Sequence, residues 1–86
     1  MVVLEFHASW CGPCKMIGPK VETMAQELGD RLVVLKIDVD EVEDVASEYD
    51  VTAMPTFVFL KEKKVATRFS GANETKIRDT ISSLLK

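Results

Sequence analysis

A strand–helix–strand pattern at the start of the chain limits most strongly what it can fold into. Residues 2–6 and 32–38 are short apolar runs rich in β-branched side chains, which is typical of strands covered on both faces. Between them, apolar residues recur at helical spacing from Ile17 to Leu28, and Gly29 is well placed to end the helix. A helical crossover makes the two strands parallel neighbours, and we expect this pair at the centre of the sheet.

The remaining patterns complete a small mixed sheet. Residues 40–49 predict a helix with an acidic outer face, and 56–60 and 65–69 predict an antiparallel hairpin with no glycine in its turn. Asn73 is a candidate N-cap for a last helix. The order β-α-β-α-β-β-α describes an α/β fold, a four-stranded mixed sheet with helices on both faces. The length of the chain predicts a single domain over 1–86.

Charge and hydropathy argue against several classes of protein. The formal net charge is −3, and the lysines and arginines are scattered rather than clustered. This distribution argues against nucleic acid or an anionic membrane as the main partner. No apolar run approaches the ~20 residues that cross a bilayer, and the first residues do not resemble a secretory signal. We therefore expect a cytoplasmic protein.

Cys11 and Cys14 stand where the first predicted strand meets the first predicted helix. Disulfide exchange needs one thiolate that attacks and a second thiol that resolves the mixed disulfide, and a Cys-x-x-Cys turn opening a helix provides both. We predict that Cys11, at the exposed end, is the nucleophile, and that Cys14, one turn in and more buried, is the resolving thiol. Gly12 and Pro13 keep the turn tight, and proline is tolerated in a first helical turn.

A zinc site and a purely structural cysteine pair are the alternatives. A structural zinc site needs four ligands, whereas this chain offers two cysteines and His7 on a different element. We therefore predict no metal. A disulfide that closes a loop as short as Cys11–Cys14 also adds too little stability to be the main cross-link of a small domain. We interpret His7 as a surface or loop residue.

Several segments resemble the thioredoxin family, in the same order along the chain. They are ASWCGPCKMI at 8–17, DVD at 38–40, MPTF at 54–57 and FSGAN at 69–73. The resemblance implies the thioredoxin fold and a protein-disulfide reductase that acts as an electron carrier in cell redox homeostasis. It implies no bound cofactor: the Cys11–Cys14 disulfide would receive electrons from NADPH through a thioredoxin reductase and pass them to disulfide-containing target proteins.

The resemblance also implies a substrate-binding surface around the cysteines. Pro55 is expected to be a cis-proline that faces them, with Met54 offering backbone hydrogen bonds to an extended substrate segment. From the residues alone, Pro55 is an ordinary strand-initiating proline. For Trp10, the alternative is that its side chain covers the core. The implied substrate-binding residues are Trp10, Gly12, Pro13, Met54, Pro55, Gly71 and Ala72.

Glu5 stands where thioredoxins usually carry aspartate. The family's buried carboxylate exchanges a proton with the resolving thiol, so the resemblance implies this role for Glu5 towards Cys14. Burial should raise the pKa of such a carboxyl, which suits a general base. Lys36, at the matching place on the neighbouring strand, is its candidate partner. The alternative is that Glu5 is an ion-paired structural residue.

Ordinary thioredoxins have a further strand and helix before the segment at which this chain begins. We therefore expect residues 32–38 to form an unprotected edge strand, with reduced stability and a tendency to form a homodimer through that edge. The Gly-Pro spacer implies that the cysteine pair is at the reducing end of the family, with a reduction potential of about −270 mV rather than the ~−180 mV of protein disulfide isomerase. A non-catalytic, redox-sensitive binding module is the alternative function.

Overall fold

Four strands form one mixed sheet in the computed structural model, which describes all residues 1–86. They are β1 (Val2–His7), β2 (Val33–Asp38), β3 (Thr56–Lys61) and β4 (Lys64–Ser70), in the order β2-β1-β3-β4. The pair β1–β2 is parallel, and the pairs β1–β3 and β3–β4 are antiparallel. The mixed sheet is confirmed. The prediction from the local pattern that the parallel pair lies at its centre is wrong, because β1 and β3 are the inner strands. β2 is an edge strand, as the resemblance implied.

Three α-helices cover the two faces of the sheet. They are α1 (Gly12–Leu28), α2 (Glu43–Glu48) and α3 (Glu74–Leu84), and a 3-10 turn at Gly29–Arg31 follows α1. The larger core cluster joins the sheet to α1 and α3, and a smaller one joins it to α2. None of the helices combines the length and hydrophobicity that a bilayer-spanning segment needs. The buried side chains of the larger core are Val3, Ile17, Val21, Met24, Leu32, Phe57, Phe59, Ile77 and Ile81.

The side chains of β1 alternate between the two faces. Val3 belongs to the core under α1 and α3, whereas Leu4 and Phe6 belong to the cluster under α2. Since alternate residues of a strand point the same way, Glu5 and His7 lie on the α1 face with Val3. The alternation thus places both ionisable residues of β1 beneath the helix that the cysteines open.

The helix α2 is shorter than predicted. The sequence predicts a helix over 40–49, but the first residues of that range form a turn. The Asp38 side chain accepts the N–H of Asp40 at 2.9 Å, and its backbone carbonyl accepts the N–H of Val42 at 2.9 Å. An aspartate that binds the backbone two residues on favours a turn over a helix, so α2 starts only at Glu43.

The hairpin of β3 and β4 closes through Glu62 and Lys63. Lys61 pairs with Lys64, which leaves two residues in the loop, with φ angles of 55° and 67°. Positive φ at both central residues matches the right-handed twist of the flanking strands. The turn adopts this conformation with two ordinary side chains, which is why no glycine marked it in the sequence.

The helix ends follow their predicted capping residues. The Asn73 side chain accepts the Lys76 N–H at 3.0 Å at the start of α3. Gly29 follows α1 with a φ of 56°, a backbone conformation that residues other than glycine rarely adopt. Both predicted boundaries are confirmed.

Candidate active site

Cys11 and Cys14 form a disulfide across the first turn of α1, with their Cα atoms 5.3 Å apart. Cys11 is the N-cap residue, in an extended conformation, and its Sγ accepts the Cys14 N–H at 3.2 Å. Gly12 opens the helix and Pro13 lies in its first turn, where an N–H is not needed. The unpaired N–H groups of the helix N-terminus therefore point towards the Cys11 sulfur.

The prediction that Cys14 is more buried than Cys11 is wrong. Cys11 is 4% exposed and Cys14 is 6% exposed. They form a small cluster with Ala8, against which Val39 and Met54 pack. These neighbours cover Cys11 as well as Cys14 in the disulfide form. What distinguishes the two sulfurs is their place on the helix: Cys11 caps it, and Cys14 lies within its first turn.

The loop before β3 lies against the cysteines, as the resemblance implied. The Met54–Pro55 peptide bond is cis, Pro55 is buried, and Met54 packs on the cysteine cluster. The Pro55 carbonyl accepts the Gly71 N–H at 2.9 Å. The structure therefore brings together the cysteine pair, the cis-proline loop and the Gly71 turn, which come from three separate parts of the chain.

Trp10 lies on the surface beside the cysteines and not in the core. Its side chain is 66% exposed, and its Nε1 donates to Asp40 Oδ2 at 2.9 Å. Asp40 was not among the predicted site residues, although it belongs to one of the segments that resemble thioredoxins. Ala72 is half-buried and packs against the larger core, so its side chain is only partly available to a substrate.

Glu5 is fully buried beneath the cysteine pair, with 0% exposure. Neither of its carboxylate oxygens has a hydrogen-bond partner. Burial raises the pKa of Glu5 above its usual value; the positive charge of Lys36 acts in the opposite direction, and the negative charge of Glu22 adds to the increase. Desolvation dominates, so the protonated form of this carboxyl is favoured over a wider pH range than in water.

Lys36 is the register partner of Glu5 on β2, but its ion pair is with another residue. Its Nζ lies 3.3 Å from Glu22 Oε1 on α1. A methyl group added at Gly18 would lie 3.6 Å from Lys36 Nζ and 3.9 Å from Glu5 Oε2. Both distances are ordinary van der Waals contacts, so Gly18 is the α1 residue that faces the ends of the Glu5 and Lys36 side chains, and a methyl group fits there. Sequence reasoning missed Gly18 and Glu22, because only the packing of α1 on the sheet brings them to Glu5.

A small cavity of about 130 Å³ connects these groups. Its lining includes Glu5, His7, Ser9, Cys14 and Lys36. His7 is the last residue of β1, so it is a strand residue and not a loop residue, and its half-buried side chain lies only partly at the surface. The strand is one residue longer than its apolar run, because pairing with β2 continues to Asp38. Polar side chains surround a space that reaches the resolving sulfur.

Comparison with known proteins identifies the family. The family model described as Thioredoxin matches residues 1–83. The chain belongs to the thioredoxin family. It is 49% identical to the Thioredoxin of Gallus gallus over 85 residues, which cover 99% of this chain and 80% of that protein. It is 53% identical to Thioredoxin-T of Drosophila melanogaster over 77 residues, which cover 90% of this chain and 49% of that protein.

Solved thioredoxin structures share the fold. The X-ray structure of Fasciola hepatica thioredoxin superposes with a TM-score of 0.92 at 55% identity, covering 95% of this chain and 78% of that one. The Drosophila melanogaster thioredoxin Deadhead gives a TM-score of 0.93 at 43% identity, covering 96% and 79%. The thioredoxin fold expected from the sequence is therefore confirmed.

Membership of the thioredoxin family and the disulfide at its motif establish the class of activity. Thioredoxins are protein-disulfide oxidoreductases, and this chain is a thiol–disulfide oxidoreductase with a redox-active cysteine pair. Nowhere do three or more histidine, cysteine, aspartate or glutamate side chains come together as a metal site requires. The intact pair at the helix N-terminus favours catalysis over the non-catalytic binding module.

Proposed function

We propose that the protein reduces disulfides of target proteins, with Cys11 as nucleophile and Cys14 as resolving thiol. The observation that carries these roles is the position of Cys11 as N-cap of α1, where its Sγ accepts a helix N–H. The positive end of a helix favours a thiolate. The Cys11 thiolate attacks one sulfur of the target disulfide, and the other target sulfur leaves with the electron pair.

Resolution of the mixed disulfide then depends on Cys14. Its thiol loses a proton, and the thiolate attacks Cys11 Sγ, which forms the intramolecular disulfide and releases the second target sulfur. Glu5 takes the Cys14 proton in our proposal. It is the carboxyl that lines the cavity next to Cys14, and its raised pKa makes it a better proton acceptor than an ordinary carboxylate.

The target segment binds across the surface formed by the cis-proline loop. Met54 offers its backbone to an extended chain, as a sheet edge does. Pro55 and Gly71 are tied to one another by a backbone hydrogen bond, which fixes the two sides of this surface. Trp10, held by Asp40, forms its exposed margin. The proposed substrate-binding residues are Trp10, Gly12, Pro13, Met54, Pro55, Gly71 and Ala72.

Electrons reach the Cys11–Cys14 disulfide from NADPH through a thioredoxin reductase, so the protein acts as an electron carrier in the cytoplasm. The Gly-Pro spacer supports this direction, because that spacer belongs to the reducing members of the family, at about −270 mV. The acidic net charge of −3 fits protein partners better than nucleic acid.

A second copy of the chain pairs along β2 in this proposal. β2 is an edge strand, and its Val33 and Leu35 side chains are 48% and 49% exposed on the face that α2 covers only in part. Unpaired backbone groups and exposed apolar side chains on one edge favour strand pairing between chains.

Insulin reduction with a thioredoxin reductase and NADPH tests the reductase function. Cys11→Ser should abolish turnover, and Cys14→Ser should accumulate a stable mixed disulfide with insulin that mass spectrometry detects. A binding module behaves differently: it keeps its partner after both substitutions, and the wild-type protein shows no turnover. That pattern would overturn the proposal.

A further inference from the structure

His7 has no part in the mechanism above, yet it lies next to the buried acid. It is two residues from Glu5 on β1, and both side chains belong to the strand face that α1 covers. Both residues also line the cavity of about 130 Å³ that reaches Cys14. One space therefore connects an imidazole, a buried carboxyl and the resolving sulfur.

The proton that Glu5 accepts needs a route to solvent. The side chain is 0% exposed, and no protein group hydrogen-bonds to either of its oxygens. The Nζ of Lys36 is paired with Glu22 Oε1 at 3.3 Å, and a protonated amine has no lone pair with which to accept a proton. The cavity is large enough for water molecules, which take about 30 Å³ each in the liquid. This space gives the proton on Glu5 a route to solvent.

We propose that His7 exchanges protons between the Glu5–Cys14 pair and solvent, acting through cavity water and Glu5 rather than on the sulfur itself. The inference rests on the proposed disulfide-reductase mechanism and adds the step that returns Glu5 to its deprotonated form. Histidine suits the task because it is the side chain that both takes up and releases protons near neutral pH. His7 is half-buried, so it meets both the cavity and the outside of the protein.

The protons of the resolving step then balance, and the two released target thiolates take their protons from solvent. Cys14 gives its proton to a Glu5 oxygen while its sulfur attacks Cys11, and the target disulfide is reduced as the Cys11–Cys14 dithiol is oxidised. The proton passes from Glu5 through water to the free nitrogen of His7, and the imidazolium releases a proton to solvent. When a dithiol later reduces the disulfide, the same path returns a proton to Cys14.

The charges around His7 are mixed in sign. Asp38, its register partner on β2, already accepts the N–H of Asp40 at 2.9 Å. Positive and negative groups on three elements face the region around the imidazole. They are Glu5 on β1, Asp38 and Lys36 on β2, and Lys15 and Glu22 on α1.

A chromogenic aromatic disulfide, 5,5′-dithiobis(2-nitrobenzoate), separates the two chemical steps in a stopped-flow trace. Attack by Cys11 releases one coloured thiolate, and attack by Cys14 on the mixed disulfide releases a second. The reduced wild-type protein, His7→Ala and His7→Gln are compared near neutral pH in a buffer free of imidazole. Thermal unfolding of each variant verifies that it is folded.

The second release should slow by about tenfold or more in both His7 variants, since general acid–base groups contribute at least that much, while the first release keeps its wild-type rate. Added imidazole should restore the second release in His7→Ala. Pyrazole, an azole of the same size that stays unprotonated at this pH, should not. Imidazole should have no effect on Glu5→Gln, because the group that His7 serves is then missing.

Other outcomes overturn the inference. A second release at the wild-type rate and pH dependence in the His7 variants removes any role for His7. Slowing of both releases, or slowing that imidazole does not restore, assigns His7 a structural role instead. Failure of the wild-type protein to give a second release contradicts the proposed mechanism itself and is thus distinct from a failure of the His7 step.

Discussion

Replacing Glu5 with leucine should stabilise the oxidised protein at neutral and alkaline pH. The Glu5 side chain is fully buried, and neither carboxylate oxygen has a hydrogen-bond partner within the protein. An unsatisfied buried polar group costs about 1–3 kcal/mol, and more when it is charged. Leucine fills a similar volume with apolar atoms and removes this cost. We expect the free energy of unfolding to rise by about 1–3 kcal/mol at a pH of about 8.

The gain should depend on pH in a defined direction. The usual pKa of the carboxyl is 4.5, and the folded protein raises it through burial. At a pH of about 4 Glu5 is largely protonated in both the folded and the unfolded chain, so its ionisation contributes little. As the pH rises, the unfolded chain releases the proton first and is stabilised relative to the folded one. The penalty for Glu5 is complete once the pH exceeds the folded pKa, and the advantage of Glu5→Leu is largest there.

Denaturant unfolding of the oxidised protein at a pH of about 4 and of about 8 measures both effects. Glu5→Gln keeps the shape of the side chain and removes its charge. Like Glu5→Leu, it should abolish the fall in stability that the ionisation of Glu5 causes, but its gain in stability should be smaller than that of Glu5→Leu. Glu41→Gln, at an exposed position, is the matched control and should stay within about 0.5 kcal/mol of wild type at both pH values. Unchanged stability of Glu5→Leu and Glu5→Gln at the higher pH would refute the reasoning, because the buried carboxylate would then carry no penalty.

Three further substitutions test individual contacts. Lys36→Met removes the charge that lowers the pKa of Glu5, so the fall in stability should continue to higher pH than in wild type; an identical pH profile in denaturant unfolding would contradict this. Asn73→Ala removes the side chain that accepts the Lys76 N–H and should cost about 1 kcal/mol in the same assay, whereas no loss would show that the cap is dispensable. Leu35→Lys places a charge on the exposed edge of β2 and should shift sedimentation at high concentration towards monomer; a wild-type protein that is already monomeric there would reject the proposed edge pairing.

Local patterns predicted most of the elements, whereas their places in the sheet needed the whole fold. The strand before the cysteines, the helix that ends before Gly29 and the hairpin each depend on residues close in sequence. The apolar run of β2 suggested a central strand, but hydrophobicity does not distinguish an inner strand from an edge whose side chains stay exposed. The late start of α2 depends on side-chain hydrogen bonding by Asp38, which helical periodicity does not report.

The candidate site divides in the same way. Cys11 and Cys14 are predictable because their spacing and their place before a helix carry the chemistry. The contact between the cysteine cluster and Met54 was available only through family resemblance, since no local pattern connects positions so far apart. The full burial of Cys11 in the disulfide and the presence of His7 in the cavity depend on how α1 lies over β1, which the sequence alone does not specify.

Gly18 and Glu5 should vary together in evolution. A Cβ at position 18 would lie 3.9 Å from Glu5 Oε2, an ordinary contact, so a methyl group fits there but a longer side chain would compete with Glu5 for the same space. A lineage that exchanges the shorter aspartate for glutamate on β1 therefore gains most when the facing residue of α1 is small, and a large residue there favours a return to aspartate. Among relatives, glutamate at position 5 should occur together with glycine or alanine at position 18. The two positions then covary, although they lie on different secondary-structure elements.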